Sequence, residues 1–230
     1  MAVHLNAPNA PTFSPAFELE GLMGTWHVTH STLPLWKVSL PSTQPRVPIS
    51  ALSRPRQDKK DVTISYAPIT TTPGPSPSSP SSSAPRPTRI NDLVEYRSIA
   101  ASASSRPSRV LGVDTLDPAS PTRFKWRGKG LLIIASSRWH LLGYHSPVPS
   151  PSPSPGTGPD PTVAADAPPS WAVTFFEKTL FTPAGLDIYA RAPEGLPADL
   201  HAAIVRALHA LGGEVADLAA SLFEVQRSAA

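Results

Sequence analysis

The sequence contains no cysteine, so a disulfide framework and a thiolate metal site are both excluded. No apolar run approaches the roughly 18 to 20 residues of a membrane helix. LLIIA at 131–135 is the longest core-like run. The opening MAVHLNAPNAPTFSPAF lacks the basic n-region and apolar stretch of a secretory leader. These absences lead to the expectation of a cytoplasmic protein with no membrane span. Catalytic signatures are missing too. There is no Gly-x-Ser-x-Gly and no HExxH. His27 and His30 differ in strand parity, as do His140 and His145, so no metal site is expected.

Proline, by contrast, is abundant, with 30 in 230 residues, and 16 of these fall in 68–87 and 146–170. Both stretches are low-complexity Pro/Ser sequence that cannot bury enough apolar surface to offset its ordering entropy. We read them as disordered inserts in one domain spanning 17–227, preceded by a flexible arm at 1–16. The net charge is +3, and much of the basic excess sits between Arg46 and Lys60. That segment has no aromatic residue, so nucleic-acid binding is not expected. A solvated loop is the simpler reading, with attraction to an anionic ligand or membrane surface the other.

Period-two alternation marks strands along the remainder. They fall at 24–31, 61–67 (DVTISYA), 91–101, 110–115, 123–127 (RFKWR), 138–145, 171–178 (WAVTFFEK) and 186–191 (LDIYAR). LLIIAS, after the glycine turn at 128–130, also reads as a strand, covered on both faces. Leu200, Ile204, Leu208 and Leu211 then recur at helical spacing, between Pro197 and Gly212-Gly213. With about eight strands in up-and-down order, the expected fold is all-β, an eight-stranded up-and-down antiparallel barrel with a C-terminal amphipathic helix. Eight strands leave room for one small ligand.

Gly24-Thr25-Trp26, the terminal arginine of LDIYAR (Arg191) and the following Pro-containing turn and helix together resemble the lipocalins, within the calycin superfamily. The resemblance implies that Gly24, Trp26 and Arg191 form a structural signature, with Arg191 lying across Trp26. It also implies a hydrophobic small-molecule ligand, such as a lipid, pigment or secondary metabolite. Related haem-binding barrels carry glycines where this chain has Val28 and His30, so no cofactor is expected.

Candidate cavity residues are Trp26, Val28, His30, Tyr66, Tyr96, Phe124, Trp126, Trp139, Phe175 and Tyr189. The same residues also fit a plain core. Ligand binding is the leading function. An isomerase or cyclase acting by general acid/base chemistry through His30, Tyr66 or Glu95 is the alternative. A third reading makes the Pro/Ser inserts the functional element, docking in a partner's aromatic groove.

Overall fold

The computed structural model describes residues 3–36, 59–69, 88–102, 104–146, 168–180 and 182–228. Most of the two Pro/Ser inserts, and the basic segment from Arg46 to Asp58, lie outside the described residues.

A short helix α1 (Leu19–Leu22) leads into eight strands. They are β1 (Gly24–Ser31), β2 (Lys59–Pro68), β3 (Arg89–Ser98), β4 (Ser108–Leu116), β5 (Arg123–Gly128), β6 (Ser136–His145), β7 (Trp171–Phe176) and β8 (Gly185–Ala190). Each pairs antiparallel with the next, and β1 pairs with both β8 and β2, which closes the sheet into an up-and-down barrel. Closure removes the open edges that make sheets aggregate. The chain then forms α2 (Ala198–Ala210), α3 (Gly213–Ala219) and a two-residue strand β9 (Phe223–Glu224).

Cross-strand partners share a face, so the register sorts side chains into interior and exterior. Trp26 opposite Ile64, Tyr66 opposite Asp92, Asp114 opposite Trp126 and Phe124 opposite Trp139 all point inward. The outer faces of β6, β7 and β8 are equally apolar, because Leu200, Ile204 and Leu208 of α2 cover Leu142, Trp171, Val173, Leu186 and Ile188. Strands β7 and β8 are therefore buried on both faces almost throughout.

The ends of the barrel differ. At one end, Trp26 is fully buried and its indole N–H donates to the Leu22 carbonyl at 2.7 Å. The Arg191 guanidinium lies 3.6 Å from the Trp26 ring centroid. It also donates to the carbonyls of Thr25, Gly21 and Met23. Gly24 has φ +91, and a Cβ there would come within 3.1 Å of the Arg191 guanidinium, so glycine serves both the backbone and the arginine.

Three expectations need correction. LLIIAS is not a strand: Gly130–Leu132 is one turn of 3-10 helix, and β6 begins only at Ser136. Ile133 and Ile134 are 62% and 90% exposed rather than covered. An apolar run this short does not carry a period that separates strand from turn, and Gly130 at φ +61 redirects the backbone. The segment 3–16, expected to form a loose arm, is packed on the barrel, with Leu5 and Asn6 against the outside of β6 and Phe13 against Phe17. Leu5 is buried beside Leu142 and Trp171, and the backbone N–H of Asn6 donates to the Leu142 carbonyl at 2.7 Å.

The third correction concerns His30. A bulge in β1 places Thr29 between the pairs Val28–Tyr189 and His30–Ile188. The extra residue reverses the parity of the strand. Trp26 and Val28 face inward before it, whereas Ser31 faces inward after it. His30 is turned out of the barrel, where its ring stacks on His201 of α2 with centroids 3.8 Å apart.

Candidate functional site

The connections β1–β2, β3–β4, β5–β6 and β7–β8 leave the barrel opposite the Trp26–Arg191 end. A cavity of about 670 Å³ opens there. Its inner wall is aromatic and aliphatic: Trp36, Ile64, Tyr66, Val94, Trp126 and Trp139. Tyr66 stacks on Trp139 with centroids 5.9 Å apart, and Phe124 stacks on the same indole at 4.3 Å. Trp126 reaches across β4 because Gly112 has no side chain. A Cβ on Gly112 would fall 2.1 Å from the Trp126 indole nitrogen.

Set into this wall are three buried carboxyl groups. Asp92 and Asp187 line the cavity. Asp114 sits behind them, diagonal to Asp92 across the β3–β4 pair and fully buried. Ser31 donates its hydroxyl to Asp187 Oδ1 at 2.5 Å, and the Trp139 indole N–H donates to Asp114 Oδ1 at 2.8 Å. The Asp92 carboxyl also lies within hydrogen-bonding reach of the Asp114 carboxyl and the Trp126 side chain, and Asp187 within reach of the Trp36 and Tyr189 side chains.

Burial dominates their protonation. It raises Asp187 to about 7 against the opposing hydroxyl bond from Ser31. Burial likewise raises Asp114 to about 7, with the Trp139 N–H pulling the other way. Asp92 is pushed well above the ordinary carboxylate range by burial and by the neighbouring Asp114 carboxyl. Burial also raises both Tyr66 and Tyr189, so these phenols stay neutral. A carboxyl held neutral in an apolar cavity is a hydrogen-bond donor, and the same group once ionised attracts a cation.

Of the residues picked out in the sequence, Trp26, Val28, Tyr66, Tyr96, Phe124, Trp126, Trp139 and Tyr189 belong to the interior core cluster or pack against it. Trp26 and Val28 are filled core near the closed end, away from the cavity wall. Tyr189 is also core, accepting a hydrogen bond from the Thr174 hydroxyl at 3.1 Å. Phe175 is not in the interior. It pairs with Leu186 on the outer face and packs among the residues that α2 covers. Glu95 lies on the outer face of β3, where Arg109 donates to it at 2.8 Å. Of the three acid/base candidates, only Tyr66 faces the cavity.

The aspartates went unselected although a signal for them was present. Asp92 shares parity with Val94 and Tyr96, and Asp187 shares parity with Tyr189. An acid on the same face as the aromatics in several strands marks a polar patch inside a barrel.

No family model matches the sequence, and no curated protein matches it. Among solved structures the chain is similar to apocrustacyanin C2, at 7% identity over 92% of this chain and 80% of that one, with a TM-score of 0.46. It is similar to apocrustacyanin C1, at 9% identity over 92% and 81% with a TM-score of 0.45. It is also similar to lobster apocrustacyanin A1, at 8% identity over 91% and 79% with a TM-score of 0.44. Overlap at that level carries no argument about a ligand. The chain's own geometry shows the fold: a closed eight-stranded up-and-down barrel whose first-strand tryptophan lies under the arginine that follows the last strand.

Proposed function

We propose that the barrel binds a hydrophobic small molecule whose apolar body stacks on Trp126, Trp139 and Tyr66 and whose polar group meets Asp187 and Asp92. One observation supports this reading. Two buried carboxyls, Asp92 and Asp187, line an aromatic cavity that opens to the surface. A ligand hydroxyl, carbonyl or amine that enters the cavity can exchange hydrogen bonds with these carboxyls.

The test has two parts. Native mass spectrometry and organic extraction of the protein from its own source should yield a stoichiometric hydrophobic compound. The recombinant protein should bind the neutral probe N-phenyl-1-naphthylamine, and Val94→Trp, which fills the cavity, should abolish that binding. No compound, together with probe binding unaffected by Val94→Trp, would refute the proposal.

A second reading is an isomerase or cyclase. Its support is Asp187, whose carboxyl at about 7 could both give and take a proton at neutral pH. His30 and Glu95 drop out of it because they face outward. Chemical conversion of the co-purified compound that disappears in Asp187→Asn, with binding retained, would favour this reading over carriage.

A further inference from the structure

The open end of the barrel carries four of the five large apolar side chains that are exposed among the described residues, the fifth being Leu111 on β4. Leu180, in the β7–β8 connection, is 95% exposed. Ile134 is 90%, Ile133 62% and Leu132 41% exposed in the β5–β6 connection. Ile134 and Leu180 both line the cavity mouth. Isolated exposed leucines are ordinary, but these project from two separate connections around a single opening.

Their surroundings are basic. Lys125, Arg138 and Lys178 are exposed and border the same opening. Lys125 and Arg138 are direct cross-strand partners, so two cations stand side by side where like charges repel. Arg127 and Lys129 are exposed as well and attached to the Ile133 turn. The Arg127 Nε donates to the Ile133 carbonyl, and the Lys129 carbonyl accepts from the Leu132 N–H. The Glu177 carboxylate also borders this opening, and it is held by His140 and Arg138.

Apolar side chains that project beyond a collar of cations have the pattern of interfacial membrane binding. Isoleucine and leucine enter the acyl boundary while lysine and arginine meet anionic headgroups. A protein partner would need an acidic surface with a matching apolar recess, whereas an anionic bilayer supplies both chemistries without shape matching. We propose that this rim docks on anionic lipid bilayers and brings the cavity mouth against the membrane, so that a hydrophobic ligand passes between bilayer and barrel without crossing water. Docking is independent of cavity occupancy, so its failure would leave the ligand proposal standing.

The absence of cysteine makes the test direct. Ile134→Cys at the rim and Ala119→Cys in the β4–β5 connection at the opposite end are each labelled with an environment-sensitive nitrobenzoxadiazole. Each is mixed with phosphatidylcholine vesicles with and without phosphatidylserine. The rim label should shift to the blue only with phosphatidylserine vesicles, and the opposite label should not respond. In sedimentation of the unlabelled protein, Ile134→Glu with Leu180→Glu should lower vesicle partitioning by about tenfold or more. Lys125→Glu and Arg138→Glu should each lower it by about fivefold. These sites are exposed, and unchanged circular dichroism confirms folding. Equal response of both labels, or of neither, overturns the proposal. So does a rim label that shifts with protein concentration alone, since that identifies a second copy of the chain as the occupant.

Discussion

The guanidinium of Arg191 sits over the Trp26 ring and at the same time binds three backbone carbonyls from the segment just before and within the first strand. Burial lowers Arg191 to about 10, which leaves it charged under all physiological conditions. It joins the end of the last barrel strand to the start of the first, and so fixes the closed end.

That relationship predicts the outcome of Arg191→Ala. Loss of the cation–π contact removes on the order of 0.5–2 kcal/mol, and the carbonyls of Gly21 and Met23 lose their partner as well. Urea unfolding should show a loss of about 2–4 kcal/mol. Arg191→Lys should recover less than half, because an ammonium cannot stack and fork together. Full recovery by lysine would mean that charge alone matters.

Gly112→Ala should disturb the cavity from behind its wall. The added methyl collides with the Trp126 indole, which has to move into the cavity. Overpacking of this kind is unfavourable by about 1–3 kcal/mol. Binding of N-phenyl-1-naphthylamine should weaken together with the melting temperature. A variant that melts lower and binds normally would show that Trp126 does not shape the site.

Asp187 should make the protein less stable as pH rises. Its folded value of about 7 lies above its ordinary 3.8, so between these values the folded state holds a proton that the unfolded chain has released. Stability from this group is full below about pH 4 and lost as pH climbs to about 7. Asp187→Asn keeps an acceptor for Ser31 and cannot ionise. Its melting temperature should exceed that of the parent at pH 8, by an amount equivalent to about 1–3 kcal/mol, and the gap should narrow toward pH 4. A constant gap would mean that the carboxyl is not desolvated.

His30 should act in the opposite direction. Burial, with the His201 ring and Arg227 nearby, lowers it from 6.5 to about 4. The unfolded chain therefore takes up a proton below 6.5 that the folded state refuses until about 4. Stability is intact above 6.5 and falls as pH drops through that window. His30→Gln should flatten the acid limb of a plot of melting temperature against pH. An unchanged limb would place the acid sensitivity elsewhere.

Most of the barrel was legible because its strands alternate. Parity alone groups Ile64 with Tyr66, Val94 with Tyr96 and Phe124 with Trp126 within their own strands and leaves open which face is inward; the register answers that by pairing Ile64 with Val94, Asp114 with Trp126 and Phe124 with Trp139. Parity fails where a residue is inserted, and Thr29 makes the point: one bulge moves His30 from cavity candidate to helix contact. It also fails where both faces are apolar, which is why Phe175 could not be told from an inward residue until α2 was seen to cover it. Asp92 and Asp187 were visible in the pattern, but acids are ordinarily assigned to solvent. The apolar run at 131–135 reads as a strand covered on both faces for the converse reason.

Strand β9 bears on how the molecule is assembled. Phe223 and Glu224 pair with Ser31 and His30, and the backbone of Val225 and Gln226 joins Thr29 to Asp61, occupying the gap where β1 and β2 part. The opposite edge of β1 pairs with β8, between His27 and Ala190. On the ribosome, β1 emerges early and waits with one edge bare until β8 has been made. Its last exposed stretch is covered only when the segment beyond α3 arrives. Barrel closure is thus a late event, the contacts that seal it are among the most distant in the chain, and slow folding should follow from that topology.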